Sequence, residues 1–254
     1  MFAIQRQNKI KEILLQKKSI TVSEMAKECK VTLETIRRDF EVLKSEGFLL
    51  KVYGGAVLRD HAQADFSVLP SVLMENKLQM AGKAAEFILP GDCIFIDHSS
   101  TALCILDQLK NINITNLNVM TNSYNALSKL LEYPGVSAMA TGGALSRESG
   151  GLFGPAAVNF FSHYHLDKVF LSCCALHREK GLSDRTEQEA QLHNAAIINA
   201  SHVYLMMDHT KFDKSNFARV CDWETGNITT LITDAPLNTE WKEFLRSRQI
   251  DFYD

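Results

Sequence analysis

The sequence predicts an α/β protein of two unlike parts: three short helices with a small β wing over residues 1–57, then, past a linker at 58–74, a mainly parallel α/β domain over 75–254. Three observations carry that prediction. Helical apolar spacing governs the N-terminal part, continuous apolar runs alternate with helical patterns after residue 90, and charge divides between the two. Residues 1–60 hold 12 Lys+Arg against 8 Asp+Glu, which leaves 15 against 22 for the rest of a chain whose net charge is −3. A basic piece joined to an acidic one suits a protein in which only the first part meets an anionic polymer.

Composition narrows the classes further. With 46% hydrophobic and 22% charged residues, the 254-residue chain falls outside disordered, collagenous and coiled-coil compositions. No apolar run approaches the roughly 20 residues of a membrane-spanning helix, and Met1–Lys18 lacks a signal-peptide core, so the expectation is a cytoplasmic protein without a membrane partner. The cysteines at 29, 93, 104, 173, 174 and 221 include no CxxC pair. Neither a zinc site nor a disulfide framework is expected, and buried reduced thiols are.

In the N-terminal part, Ile10, Ile13 and Leu14 stand at helical spacing between Arg6, Lys9, Lys11 and Glu12, which predicts a first helix over Ile4–Gln16. Thr21-Val-Ser-Glu24 fits a capping box opening a second helix to Lys30, with Met25, Ala26 and Cys29 inward. Thr32 caps a third helix whose apolar stripe is Leu33, Ile36, Phe40 and Leu43, ending near Gly47. Its opposite face shows Glu34, Thr35, Arg37, Arg38 and Glu41. Phe48–Val52 reads as a strand and Tyr53-Gly54-Gly55-Ala56 as a turn, together a wing. Helix, turn, helix and wing in this order make a winged helix-turn-helix, the shape that presents one helix to the major groove while basic groups neutralise phosphates.

Arg6, Ile10 and Leu14, then Thr32-Leu-Glu-Thr35-Ile-Arg-Arg-Asp-Phe40 and Tyr53-Gly-Gly-Ala56, resemble the DeoR family of bacterial transcription regulators. The resemblance implies that Thr32, Thr35, Arg37 and Arg38 lie at the DNA, with Tyr53 where many members carry a wing histidine. Thr32 caps its helix under either reading, and two adjacent arginines in an arbitrary helix are usually a solvated basic face; the surrounding motif favours DNA contact. Asp39 reads as a partner for an arginine within the domain, because phosphate repels a carboxylate.

The segment from Leu58 to Glu75, with Pro70, carries no periodic pattern and reads as the linker. Beyond it, strands over Cys93–Asp97, Leu117–Thr121, Val136–Thr141, Val169–Ser172 and Val203–Met207 alternate with helices over Thr101–Leu109, Tyr124–Leu131 and Glu187–Ala200. Continuous apolar strands belong to parallel sheets covered on both faces, whose ligands sit beyond the strands' carboxyl ends. Four polar loops fall at those ends: Asp97-His98-Ser99-Ser100-Thr101, Thr121-Asn122-Ser123, Thr141-Gly142-Gly143 and Asp208-His209-Thr210-Lys211. Hydroxyls at helix starts, glycines that admit close approach and a lysine as point cation suit a phosphate. Taken singly, each loop reads as a cap or turn.

The DeoR resemblance extends over these loops and so covers nearly the whole chain. Asp97–Thr101 is similar to the family's Asp-x-Gly/Ser-Thr-Thr, Thr121–Ser123 to its Thr-Asn-Ser, Gly142-Gly143 to its double glycine and Asp208–Phe212 to its Asp-His-Ser-Lys-Phe. It implies a fold like ribose-5-phosphate isomerase and glucosamine-6-phosphate deaminase, and an effector site for a phosphorylated sugar built from Asp97, Ser99, Ser100, Thr101, Thr121, Asn122, Ser123, Gly142, Gly143 and Lys211. The departures are Thr210 for serine, Asp213 for glycine with an added negative charge near the phosphate, His193 for a frequent lysine, and Cys174 and His177 where the isomerases carry two aspartates. Sugar-phosphate isomerisation needs a carboxylate base, so a site without those aspartates binds rather than turns over; Glu187 and Glu189 stand as alternative bases.

The reading is therefore a two-domain transcription regulator, a repressor of a carbohydrate-catabolism operon. Its partners are double-stranded operator DNA and a phosphorylated sugar, it works as a homodimer or homotetramer, and it needs no cofactor or metal. The alternative is a phosphosugar isomerase or deaminase with an accessory DNA-binding-like domain. His163-x-His165 lacks a third ligand for a metal, and Trp223 and Trp241 read as packing residues.

Overall fold

The first helix, α1 (Ala3–Lys17), buries Ile10 and Leu14 completely and with them Arg6. A short strand β1 (Ser19–Thr21) leads into α2 (Val22–Cys29), which starts on the expected capping box: Thr21 Oγ1 accepts from the Glu24 amide at 3.1 Å, and the Thr21 amide donates to Glu24 Oε2 at 3.0 Å. Met25, Ala26 and Cys29 are buried, and Lys30 ends the helix at φ 54°. Helix α3 (Leu33–Ser45) buries Ile36, Phe40 and Leu43, each worth about 1.5–3 kcal/mol of apolar transfer. Leu33, expected in that stripe, is 46% exposed. Helical side chains lean toward the N-terminus, so a first-turn leucine projects past the packed turns.

The coordinates are a computed structural model that describes residues 2–17, 19–45, 48–52, 54–58, 74–110 and 116–254. Gly47, Tyr53 and most of the expected linker, Pro70 included, lie outside the described residues. The wing is wider than the sequence predicts. Strands β2 (Leu49–Val52) and β3 (Gly55–Leu58) pair antiparallel, and β1 joins β3, so a three-stranded sheet replaces the strand and turn. Gly55 is required there, since a Cβ would stand 2.2 Å from the Ile20 carbonyl oxygen. The chain divides into two units, Met1–Met74 and Glu75–Asp254.

The second unit opens with α4 (Met74–Ala85) and is organised by a seven-stranded sheet. Its strands are β4 (Cys93–Ile96), β5 (Leu117–Thr121), β6 (Val136–Ala140), β9 (Leu166–Leu171), β12 (Ala200–Met206), β14 (Thr230–Ile232) and β15 (Asp251–Tyr253). Every pairing is parallel, in the order β15-β14-β12-β9-β4-β5-β6. Helices α5 (Ser100–Leu109), α6 (Tyr124–Leu130), α7 (Pro155–Phe160), α8 (Glu187–Ile198) and α9 (Thr239–Ser247) accompany it. Two small antiparallel sheets complete the unit: β7 (Ala144–Leu145) with β8 (Leu152–Phe153), and β10 (Ala175–His177) with β11 (Gly181–Asp184) and β13 (Ala218–Cys221). Trp223 and Trp241 lie in the apolar core, as expected of packing residues.

The strand order fixes where a ligand belongs. From β4 the chain winds outward through β5 and β6, then returns to lay β9 on the other side of β4 before continuing to β12. Winding reverses between β4 and β9, and the diverging loops leave a crevice at their carboxyl ends. Among the described residues no helix is long and apolar enough to cross a membrane.

Candidate functional site

On the first unit, α3 turns its charged face outward. The side chains of Arg37 and Arg38 are 56% and 83% exposed, and both flank Glu34 at 3.5 and 4.0 Å. Exposed pairs of this kind are worth little, so both guanidinium groups remain available to a phosphate or a base edge. Thr32 Oγ1 accepts from the Thr35 amide at 3.3 Å and lies 2.9 Å from Thr35 Oγ1, which places two hydroxyls at the start of the same helix. Asp39 is on the buried face. Arg6 Nε donates to its Oδ2 and Arg6 Nη2 to its Oδ1 at 3.1 Å, a two-bond clamp between α1 and α3 that fulfils the expected intradomain arginine partner.

On the second unit, the loops after β4 and β9 meet. Asp97 is fully buried; it accepts from the Ser99 amide at 3.0 Å and from the Ser172 amide at 3.0 Å. Ser99 caps α5 by accepting from the Ala102 amide at 3.1 Å. The next two amides, those of Ser100 and Thr101, have no protein partner among the described residues, the ordinary state of a helix first turn and one that can receive an anion. Lys211, in a short 3-10 turn (His209–Lys211) after β12, donates to Ser172 Oγ at 2.7 Å and lies 3.8 Å from Asp208 Oδ2. Ser172 Oγ in turn donates to the Met206 carbonyl, which ties β9, β12 and the lysine together.

Behind this rim sits a buried charge cluster. His193 of α8 places Nδ1 2.7 Å from Asp184 Oδ2 and Nε2 3.2 Å from Asp97 Oδ2, all three side chains at most 2% exposed. The Nδ1 contact is a hydrogen bond, and Nε2 meets Asp97 as an ion pair. Burial opposes an imidazolium, but the carboxylates of Asp184 and Asp97 outweigh it and hold the His193 pKa well above the ordinary histidine value. Burial likewise opposes the Asp97 carboxylate, and His193 with the Ser172 amide keeps its pKa below the usual range. The lysine frequent in the resembling family is thus replaced by another cation at residue 193. The cluster's second carboxylate, Asp184, is a residue the sequence reading passed over; its other oxygen accepts from the Cys174 amide at 2.8 Å.

Asn122 extends the crevice. Its Nδ2 lies 3.3 Å from His98 Nδ1 and donates to the Leu152 carbonyl at 3.4 Å, while its buried Oδ1 has no partner. The His98 ring stacks toward His193 at 6.0 Å between centroids, and its Nε2 lies 3.7 Å from Glu189 Oε1. Asn122 Oδ1 is thus a buried acceptor without a partner among the described residues, while His193 Nε2 faces Asp97 Oδ2 at 3.2 Å.

The remaining predicted residues shape the loops. Thr121 Oγ1 accepts from the Ser123 amide at 3.0 Å, and Ser123 caps α6. Gly143 has φ 104°, and a Cβ there would meet the Phe153 carbonyl oxygen at 2.4 Å, so its glycine is demanded by the chain itself; Gly142, at φ 74°, has open space beside it. Asp213 departs from expectation. It accepts from Trp241 Nε1 at 3.2 Å and pairs with Arg178 at 3.5 Å, which draws its charge to those partners rather than to a phosphate. A lysine the sequence reading missed, Lys77 of α4, is buried in a helix whose Asn76 bonds Asp234, the carboxylate that also holds His209; burial and then the Lys211 ammonium push the Lys77 pKa down. Its signal was present: Lys77, Met80, Ala81 and Ala84 share one helical stripe, and all are buried.

None of the six cysteines, all of them among the described residues, forms a disulfide, and four are buried. Cys173, Asp184 and His193 bring ligand atoms within 4.8 Å of one another, as do Asp97, His98 and His193. Burial pushes the Cys173 thiol far up, and both Asp184 oxygens already hold donors, so an ion-paired cluster accounts for these groups. His165 bonds Ser201 at 2.8 Å.

An exposed basic helix in a winged unit, joined to a parallel α/β unit with a polar crevice at its switch point, defines a ligand-responsive DNA-binding regulator. Residues 6–62 match the family described as DeoR-like helix-turn-helix domain, and residues 73–235 match the DeoR C terminal sensor domain. The chain belongs to the DeoR family of transcriptional regulators. It is 33% identical over 252 residues to the HTH-type transcriptional regulator YulB of Bacillus subtilis (strain 168), covering 98% of this chain and 96% of that one. The HTH-type transcriptional regulator GolR of Listeria innocua serovar 6a is 32% identical, with 94% and 93% covered. The glycerol-3-phosphate regulon repressor of Escherichia coli (strain K12) is 30% identical, with 91% of each chain covered. Among solved structures, a D-ribose-5-phosphate isomerase in complex with phospho-erythronic acid aligns over 55% of each chain at TM-score 0.41 and 15% identity, a likeness that carries no argument about function.

Proposed function

We propose that this regulator is a repressor of a carbohydrate-catabolism operon, and that a phosphorylated sugar bound at the switch point of residues 75–254 releases it from double-stranded operator DNA. Residues 1–57 form the reading head, with Thr32, Thr35, Arg37, Arg38 and Tyr53 at the duplex, and 58–74 join it to the sensor. A homodimer or homotetramer is required because one recognition helix reads a half-site. The protein works in the cytoplasm.

The observation that carries the effector reading is the pair of unpartnered amides at Ser100 and Thr101 in a crevice that also holds Lys211. Ser99, Ser100, Thr101 and Lys211 receive the phosphate, Asn122 reads a hydroxyl, and Asp97, Thr121, Ser123, Gly142 and Gly143 hold the loops in shape. A relative named as the glycerol-3-phosphate regulon repressor supports a phosphorylated ligand. Lys211→Ala is expected to keep operator affinity and lose effector release; fluorescence anisotropy on labelled operator against a panel of phosphosugars reads both, and an unaltered dose-response removes Lys211 from the site.

A catalytic role is disfavoured by what the carboxylates already do. Asp97 and Asp184 are bound to His193 and backbone amides, and Glu189 holds the Thr186 amide at 3.1 Å and its hydroxyl at 2.9 Å. No one of these is a free base for moving a proton between carbons. Incubation with phosphosugars is expected to leave them unchanged, and an isomerised product reverses the assignment.

A further inference from the structure

Lys77 is an anomaly in its helix. It occupies the apolar stripe of α4, one turn before Met80 and Ala81, and is 9% exposed. A lysine is almost never buried unless it is paired, yet no described carboxylate hydrogen-bonds or ion-pairs with it. Burial pushes its ammonium pKa down and the Lys211 ammonium pushes it further, while the Cys104 thiol and Asp208 offset only part. Asp208 is itself engaged by the Thr210 amide at 3.0 Å and faces Lys211.

The first turn of α4 is also bonded to the lysine-bearing turn. Asn76 Nδ2 donates to Asp234 Oδ2 at 2.8 Å, and the same carboxylate accepts from the His209 amide at 2.7 Å and lies 2.8 Å from His209 Nδ1. One carboxylate therefore spans α4 and the His209–Lys211 turn. α4 is the first element after residues 59–73, the segment through which the chain reaches the DNA-reading unit.

We infer that Lys77 is the second ammonium of the anion site, that it and Lys211 share a phosphate with the free amides of α5, and that the bound phosphate thereby fixes the first turn of α4. The inference rests on the crevice being a phosphate site. Two cations held close with too little negative charge repel one another, and a dianion between them turns that repulsion into attraction. Since the gain depends on where α4 stands, ligand binding and the position of α4 become one linked equilibrium.

The test uses the full-length protein with inorganic phosphate as probe and chloride at equal ionic strength as control. Lys77→Met is expected to weaken phosphate binding, read by calorimetry, by roughly tenfold or more, the loss of one charge-assisted contact. In phosphate-free buffer it is expected to raise the melting temperature, because an unpaired buried cation has gone, and Lys77→Arg is expected to keep most of the affinity. Phosphate should slow amide exchange over residues 74–85 in the unsubstituted protein and leave it unchanged in Lys77→Met. Wild-type affinity in Lys77→Met with loss in Lys211→Met overturns the role of Lys77 and spares the crevice. Unchanged affinity in both overturns the crevice reading too, and phosphate binding without slowed exchange in α4 overturns the coupling.

Discussion

The two units handle positive charge in opposite ways. In the reading unit the arginines proposed to meet DNA, Arg37 and Arg38, stand in solvent beside Glu34, while the structural arginine, Arg6, is buried in a two-bond clamp on Asp39. In the sensor unit the cations at the crevice are themselves buried or half-buried: His193 between two carboxylates, Lys211 on Ser172, Lys77 in an apolar stripe. The contrast follows from the ligands. A duplex is a large polyanion approached from outside, and exposed cations gain from it by releasing counterions. A small anion must be taken out of water to be distinguished, which requires cations held in low dielectric where each contact is strong and any unpaired charge is costly.

The largest expected effect tests the buried side of that contrast. His193→Gln leaves Asp97 and Asp184 facing one another without a cation, and removing one partner of a buried ion cluster costs about 3–5 kcal/mol. Chemical denaturation of the full chain reads it; a loss no larger than that of an exposed substitution breaks the comparison. The same cluster sets a pH dependence. The His193 pKa is raised on folding, so its contribution is complete below the unfolded histidine value of about 6.5 and is lost as pH rises through the folded value. Stability is expected to fall on the alkaline side, and His193→Gln is expected to flatten that limb of the profile.

The next effect belongs to the exposed side. Arg37→Ala is expected to weaken operator binding by about 1–3 kcal/mol if its guanidinium reads a base, and to leave unfolding stability within about 0.5 kcal/mol. Anisotropy titration and denaturation measure the two quantities separately. Affinity that holds while stability falls places Arg37 among structural residues and erases the distinction between the units.

The contrast also explains how much of each site was legible in the sequence. The reading helix is a local object: Thr35, Arg37 and Arg38 lie within one helix and Thr32 just before it, so the 3.6-residue period that identified Ile36, Phe40 and Leu43 as buried also fixed which residues point outward. The crevice is assembled from segments more than a hundred residues apart, and its strand-end loops could be placed only to the extent that parallel strands share a polarity. The reversal between β4 and β9 depends on strand order, which periodicity does not encode. Asp184 was missed because β11 is a four-residue strand of mixed polarity, Gly-Leu-Ser-Asp, and its partners Cys174 and His193 come from other elements. β1 was missed for the same reason, at three residues. The wing residue Tyr53 lies outside the described residues.

The smallest expected effect sharpens the comparison within the reading helix itself. Arg38 is the more exposed arginine and keeps only a 4.0 Å contact with Glu34, a position suited to the phosphate backbone rather than a base edge. A phosphate contact carries no sequence information, so Arg38→Ala is expected to weaken operator and non-operator DNA alike. It should also reduce the slope of log affinity against log salt by roughly 1, the signature of one lost counterion release. Arg37→Ala, by contrast, should lower the ratio of operator to non-operator affinity. Equal changes in slope and in that ratio for both variants would mean that the two guanidinium groups play one role, a solvated basic face in contact with the backbone, and that base reading resides elsewhere, at Thr32 just before α3 or at Thr35 within it.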